Sequence, residues 1–373
     1  MTHPFSPAAC PRLVVKIGSA LLVDAAGKVR RDWLKGVVVD IADARAKGQQ
    51  VAIVSSGAIA LGARRLGLAK GGRASLEDAQ AAAATGQIAL SHCWAELLAG
   101  EGLTAAQILV TLDDLEDRRR YLNAASTLDR LLSLGVVPII NENDSVATAE
   151  IRFGDNDRLA ARIAQAALAQ GVILLSDIDG LYTANPGRDP AARHIPEVRR
   201  IDARIRAMAD GGSASGMGSG GMISKLEAAR IATAAGANLA IISGHVERPL
   251  SAYAAGGRGT IFLAEKAANA RKAWLAGRLT VKGRIHVDAG AAKALGDGRS
   301  LLSAGMTSVD GRFERGDVVS ILGPDGTPLA RGLAEYDAGD AARIVGKRSD
   351  ALAEILGYAP RSAVVHRDHL VLL

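Results

Sequence analysis

The stretch Gln50-Val-Ala-Ile-Val-Ser55-Ser56-Gly57-Ala58-Ile-Ala-Leu61 changes character once, and that change decides the fold. Residues Gln50–Ser55 form an apolar run without polar alternation, which reads as a strand buried on both faces. Hydroxyls and a glycine follow, and Ala58–Leu66 then reads as a helix. A strand passing through a short polar turn into a helix is how a parallel sheet is built.

The same change recurs on either side. Further strands are predicted at Leu13–Lys16, Ala105–Leu112, Val136–Asn141, Val172–Ser176 and Asn238–Ser243. Helices are predicted at Arg31–Lys47, Ala79–Leu98, Arg118–Leu134, Asn156–Leu168 and Ile223–Ala235. This alternation predicts an α/β fold, an open, mainly parallel sheet sandwiched by helices, whose ligands sit beyond the carboxyl ends of the strands. The pattern stops after Leu263. Glu265–Gly277 reads as a linker or short helix, followed by short alternating segments at Gly283–Val287, Gly316–Leu322, Leu329–Tyr336 and Ala363–Leu372. Gly323-Pro-Asp-Gly326 between two of them is a hairpin signal. The expectation is two domains, residues 1–265 and, with its linker, a small mostly-β domain over 266–373.

Composition sets the outer bounds. A chain of 373 residues, 49% hydrophobic and 23% charged, is an ordinary globular protein with room for two cores. Its net charge of +6 is mild for this length and fits a solvated surface. Cys10 and Cys93 stand far apart, without the spacing of a disulfide framework or a structural zinc site. Neither a signal peptide nor a bilayer-spanning run is visible, so the expected place is the cytoplasm, with no membrane partner.

The strand-end loops carry the chemistry. Val14-Val-Lys16-Ile-Gly18 runs a strand into a lysine and a glycine, which suits a phosphate because glycine lets backbone N–H groups approach an anion. Taken alone, a surface lysine beside a turn explains it better. Ser56 precedes a helix, where free N–H groups attract anions, although a serine there is more often an N-cap. Ile140-Asn-Glu-Asn-Asp144-Ser-Val and Phe153-Gly-Asp-Asn156-Asp157 crowd polar groups together, which is costly unless they meet a ligand or each other. They offer carboxylates to an ammonium and amides to a carboxylate, the two ends of an amino acid. Mg²⁺ or Ca²⁺ binding is the rival reading, though without an EF-hand register.

Ser215-Gly-Met-Gly-Ser219-Gly220-Gly221-Met222-Ile223-Ser224-Lys225 contains the G-x-G-x-x-G spacing but follows no strand. Such a loop, with a lysine one turn into the next helix, can wrap a triphosphate; a linker is an equal alternative. Ser176-Asp177 ends another strand, and the excursion through Tyr182 either contacts a nucleotide or is a simple turn. His366-Arg-Asp368 imitates a protein-kinase catalytic loop without room for its partner motif. Polar alternation on a final strand explains His366 and His369 better than a metal site, and no metal ligands are assigned.

In order and spacing, these blocks resemble the amino-acid kinase superfamily, most closely its glutamate 5-kinase branch. The resemblance rests on Val14-Val-Lys-Ile-Gly18, Val54-Ser-Ser-Gly-Ala-Ile-Ala60, Asn141-Glu-Asn-Asp-Ser-Val-Ala-Thr-Ala-Glu150, Gly154-Asp-Asn-Asp157, Gly180-Leu-Tyr-Thr-Ala-Asn-Pro186 and Gly220-Gly-Met-Ile-Ser-Lys225. The region from Gly283 to Val365 resembles a PUA domain. The resemblance implies transfer of the ATP γ-phosphoryl group to the side-chain carboxylate of L-glutamate, the first step of proline biosynthesis. It makes Lys16, Asp157 and Lys225 catalytic, with the lysines on phosphates and Asp157 organising them or a metal. It assigns Ser56, Asp144 and Asn156 to glutamate, and Lys16, Ser176, Asp177 and residues Ser219, Gly220, Gly221, Met222, Ile223, Ser224 and Lys225 to ATP. Mg²⁺ is implied as cofactor. Also implied are a homo-oligomer, coupling to a glutamyl-phosphate reductase, and proline inhibition modulated around Asp114 and Glu150.

The acceptor carboxylate has an ordinary pKa of about 4.3, so a site without a catalytic His or Cys suffices. One rival is a kinase for another carboxylate, such as N-acetylglutamate or aspartate. The other is RNA binding through the C-terminal domain, where 16 Lys and Arg face 12 Asp and Glu without interleaved aromatics.

Overall fold

A computed structural model describes residues 3–24, 27–146, 155–209, 221–264 and 281–373. The strands of its first part are Arg12–Ile17 (β1), Gln50–Ser55 (β2), Ala105–Val110 (β3), Val137–Glu142 (β4), Gly171–Ser176 (β5), Leu181–Tyr182 (β6), His194–Ile195 (β7), Glu197–Val198 (β8), Asn238–Ser243 (β9) and Gly259–Phe262 (β10). Eight of them form one sheet in the order β3-β4-β2-β1-β5-β9-β10-β8. From β3 to β9 every pairing is parallel, as the buried β-branched runs predict. β10 runs antiparallel to β9 and parallel to β8. These last two strands are too short to show a period, and the sequence reading does not find them.

Strand alternation sends side chains to two helical layers. Leu13, Val15 and Ile17 join Trp33, Leu34 and Val37 of the helix Arg31–Ala46, and Leu90 and Trp94 of the helix Leu76–Gly100, in one core. Lys16 belongs to the opposite face, where the helix Asp155–Ala166 crosses β1, β2, β4 and β5 and packs on the helix Met222–Ala234. Two predicted boundaries move because side chains cap helices. The strand expected to reach Leu112 stops at Val110, because Thr111 and Asp114 exchange backbone-to-side-chain hydrogen bonds of 2.7 and 3.1 Å. The helix expected from Ala79 begins at Leu76, where Ser75 Oγ accepts from the Asp78 N–H at 3.1 Å.

By its contacts the chain divides into two units, Met1–Glu116 with Asn123–Ala267, and Asp117–Leu122 with Ala268–Leu373. The second unit contains Gly283–Val287 (β11), Met306–Gly311 (β12), Val318–Leu322 (β13), Pro328–Leu333 (β14) and Leu370–Leu372 (β15), in the order β12-β11-β13-β14-β15. Its core is its own, built on Ile285, Val319, Ile321, Tyr336 and Val365. Gly323 N–H donates to Thr327 O and closes the predicted hairpin between β13 and β14. The final strand is shorter than expected. Val365 makes an isolated bridge to Leu301, and Arg367–His369 then form a turn whose Asp368 N–H is accepted by His366 Nδ1. His366 therefore caps a turn and His369 sits in it; neither lies on a strand. Among the described residues no helix is long and apolar enough to cross a membrane.

Candidate active site

β1, β2, β4, β5 and β9 are parallel neighbours, so their carboxyl ends share one edge of the sheet. The chain reverses its progress across the sheet at β1, between β2 and β5, where such folds open a crevice. Lys16 stands near the end of β1, Asp157 in the first turn of its helix, and Lys225 in the first turn of the adjoining helix. Lys16 Nζ lies 2.6 Å from Asp157 Oδ1, and Lys225 donates to Oδ2 at 3.0 Å. Asp157 is 0% exposed, Lys225 5% and Lys16 7%, so the three charges meet almost without water. Burial pulls the Lys16 ammonium below its ordinary pKa, with Asp157 opposing and Lys225 reinforcing. Burial alone would raise the Asp157 carboxyl, but the two ammoniums outweigh it and hold the pKa below the ordinary value. The cluster keeps one net positive charge, and Gly18 passes close to the Lys16 ammonium. Such an arrangement is suited to a phosphoryl group.

Beside it lies a chain of amides. Asn156 Nδ2 donates to Ser56 Oγ at 2.8 Å and approaches Asn141 Oδ1 at 3.2 Å, while Asn141 donates to Gln87 Oε1 at 2.8 Å. Trp94 donates to Ser55 Oγ at 2.9 Å, which fixes the residue before Ser56. Among the described residues Asn156 Oδ1 is buried and accepts no hydrogen bond, an unmet acceptor at a site expected to meet a donor. Asp144 is buried and draws on Arg73, whose guanidinium burial lowers to about 10 against that attraction. The sequence reading nominates neither Gln87 nor Arg73. A lone amide at a buried position of an Ala-rich helix is the signal for Gln87; Arg73 carries none.

On the other side of Lys16, Ser176 Oγ donates to Asp177 Oδ1 at 3.0 Å, and Asp177 attracts the Lys16 ammonium. Gly221 caps the helix on which Met222, Ile223 and Ser224 lead to Lys225, with Ile223 exposed and Lys225 buried. Ser219, Gly220 and Glu150 lie outside the described residues. Asp114 caps the helix Leu112–Glu116. A cavity of about 410 Å³ opens at Asp177, lined also by Asp179, Ile242, Val246, Tyr253 and Arg258. Another hollow, at Arg200–Ala207, shares none of these residues. Among the described residues no three His, Cys, Asp or Glu side chains gather as a metal-binding group, and Asp157 is engaged by its lysines.

Comparison with known proteins identifies the family. Residues 11–243 match the amino acid kinase family and residues 283–356 the PUA domain. The chain is 73% identical to the glutamate 5-kinase of Sphingopyxis alaskensis over 99% of both chains. It is 64% identical to that of Zymomonas mobilis, covering 99% of this chain and 93% of the other. It is also 64% identical to that of Novosphingobium aromaticivorans, over 98% and 96%. With the buried Lys–Asp–Lys cluster at the sheet's crevice and relatives this close along the whole chain, the protein belongs to the amino acid kinase family, in its glutamate 5-kinase branch.

Proposed function

We propose that the chain transfers the γ-phosphoryl group of ATP to the side-chain carboxylate of L-glutamate, giving glutamyl 5-phosphate. The observation that carries this reading is Asp157 holding Lys16 and Lys225 together, next to the unmet acceptor of Asn156. The two ammoniums offset charge on the phosphoryl oxygens as it moves, and Asp157 keeps these like charges side by side. Ser56, Asn156 and Asp144 hold glutamate, with Asp144 facing its α-ammonium. The nucleotide is held by Ser176, Asp177 and the run from Ser219 to Lys225, and its nucleoside fills the cavity at Asp177. The nucleophile is ionised at neutral pH, so positioning and electrostatics replace a general base. Mg²⁺ would be carried chiefly by the phosphates and water, with the exposed Asp177 as the available side chain; when bound it adds neutralisation of the β- and γ-phosphates.

The same reading puts the enzyme in the cytoplasm, as a homo-oligomer, with the kinase domain ending near residue 265. It makes proline a feedback ligand near Asp114 and Glu150, and a glutamyl-phosphate reductase the consumer of the unstable product. ADP release from Mg·ATP with glutamate, against N-acetylglutamate and aspartate, tests the acceptor. Turnover with glutamate is expected, falling at least about tenfold for Asp144→Ala. Turnover with N-acetylglutamate and none with glutamate would reverse the assignment.

A further inference from the structure

The cavity at Asp177 has a lining of two chemistries. Ile242, Val246, Pro249 and Ala252 are apolar, whereas Asp177, Asp179 and Arg258 are charged. Asp177 directly follows β5, the parallel neighbour of the β1 strand that carries Lys16, so the charged part is the one toward the phosphate-binding lysines. The carboxylates of Asp177 and Asp179 accept from hydroxyl donors, which a sugar supplies and a triphosphate lacks. A nucleotide with its γ-phosphate at Lys16 and Lys225 therefore passes its sugar along the acids and its base into the apolar part. The volume of about 410 Å³ suits a nucleoside.

Asp179 is held in place. Tyr182 donates its hydroxyl to Asp179 Oδ1 at 2.9 Å, while Arg258 Nη1 lies 3.4 Å from Oδ2 and 3.2 Å from the Tyr182 hydroxyl oxygen. The backbone between Asp179 and Tyr182 is clamped as well. Gly180 has φ +145°, and a Cβ there would stand 2.6 Å from both His194 Nε2 and Thr260 Oγ1. The next residue, Leu181, donates its N–H to Thr260 Oγ1 at 2.7 Å. A carboxylate offers about four acceptor positions, so these contacts leave Asp179 capacity for a ligand.

We propose that Asp179 is a specificity-determining residue that accepts hydrogen bonds from the ribose hydroxyls of the nucleotide, with Tyr182 and Arg258 as positioning residues. This inference rests on the nucleotide-dependent kinase reading above and adds how that nucleotide's sugar is recognised.

The test uses the full chain and compares kcat/KM for ATP, 2′-deoxyATP, 3′-deoxyATP and purine riboside triphosphate, which lacks the 6-amino group. At least one deoxy analogue is expected to be used about tenfold to a hundredfold less well than ATP. Asp179→Ala should cut that ratio below about threefold, by raising the KM of ATP rather than lowering kcat. Tyr182→Phe and Arg258→Met should each lower the ratio partway and leave the KM of glutamate unchanged. Equal use of ATP and both deoxy analogues by the unmodified enzyme overturns the proposal, whether or not any variant folds. So does an Asp179→Ala enzyme that keeps the ratio, or one that changes only discrimination against purine riboside triphosphate, since the carboxylate would then read the base. An unmodified enzyme that transfers nothing from ATP to glutamate overturns the kinase reading itself, and that result is distinct from the others.

Discussion

Asp157 meets two ammoniums with no water to share the load. Asp157→Asn would leave Lys16 and Lys225 facing each other uncompensated, so kcat should fall at least about a hundredfold. Urea unfolding should show a loss of about 3 kcal/mol. The pH dependence has a definite sign. A carboxyl whose folded pKa is depressed binds fewer protons folded than unfolded, so its stabilisation is complete above the ordinary carboxylate value and is lost as pH falls below about 4. Urea midpoints between pH 3 and 7 should show this limb in the native protein and a flatter one in Asp157→Asn. Lys16 is lowered by burial, so the alkaline decline of kcat should begin below the ordinary lysine value of about 10.4. Between pH 6 and 8 kcat should be flat, because the acceptor is already ionised and the proposed site uses no histidine. Lys16, Asp157 and Lys225 are legible as members of polar or glycine-rich strand-end blocks, but their meeting is not. Asp157 and Lys225 are 68 residues apart, and no local pattern encodes that contact. Gln87 escapes notice because its partner Asn141 lies 54 residues away.

The helices Ala58–Leu66 and Leu76–Gly100 touch backbone to backbone, and this contact positions Gln87 beneath the amide chain. A Cβ at Gly62 would stand 1.7 Å from Ala82 O, and one at Gly86 would stand 1.8 Å from Ala58 O. In an exposed helix, glycine to alanine gains about 1 kcal/mol. Here the helices must separate, so Gly62→Ala and Gly86→Ala should each destabilise by about 2 kcal/mol or more in urea unfolding. Gly86→Ala should also raise the KM of glutamate, because it shifts the support of Asn141; a stabilised variant would refute the packing argument. At this scale the sequence is most readable where runs are long and β-branched, as in β1, β2 and β5. It is least readable where side chains set the ends, as at Thr111 with Asp114, or where a strand has two to four residues, as in β8 and β10. The last segment, Ala363–Leu372, misleads because apolar residues stand at both of its ends, yet a capped turn at Arg367–His369 interrupts it.

Among the described residues each unit has a hydrophobic core of its own, one including β1, β2 and β5 and the other β11 and β13. Two cooperative units predict two calorimetric transitions. ATP and glutamate at a hundred times their dissociation constants should each add about 2.7 kcal/mol to the unit that binds them and leave the other transition in place. A single transition displaced as a whole would show that the units unfold together. The division between an α/β part and a β part was legible from the change of pattern after Leu263, since helices and strand-rich segments differ in period and length. The function depends on the first part, and its most direct check is to trap the product. Incubated with Mg·ATP, L-glutamate and hydroxylamine, the purified chain should form glutamyl hydroxamate in step with ADP, because a side-chain acyl phosphate is the only species there that hydroxylamine captures. ADP release without hydroxamate, or hydroxamate that forms without ATP, would contradict the account.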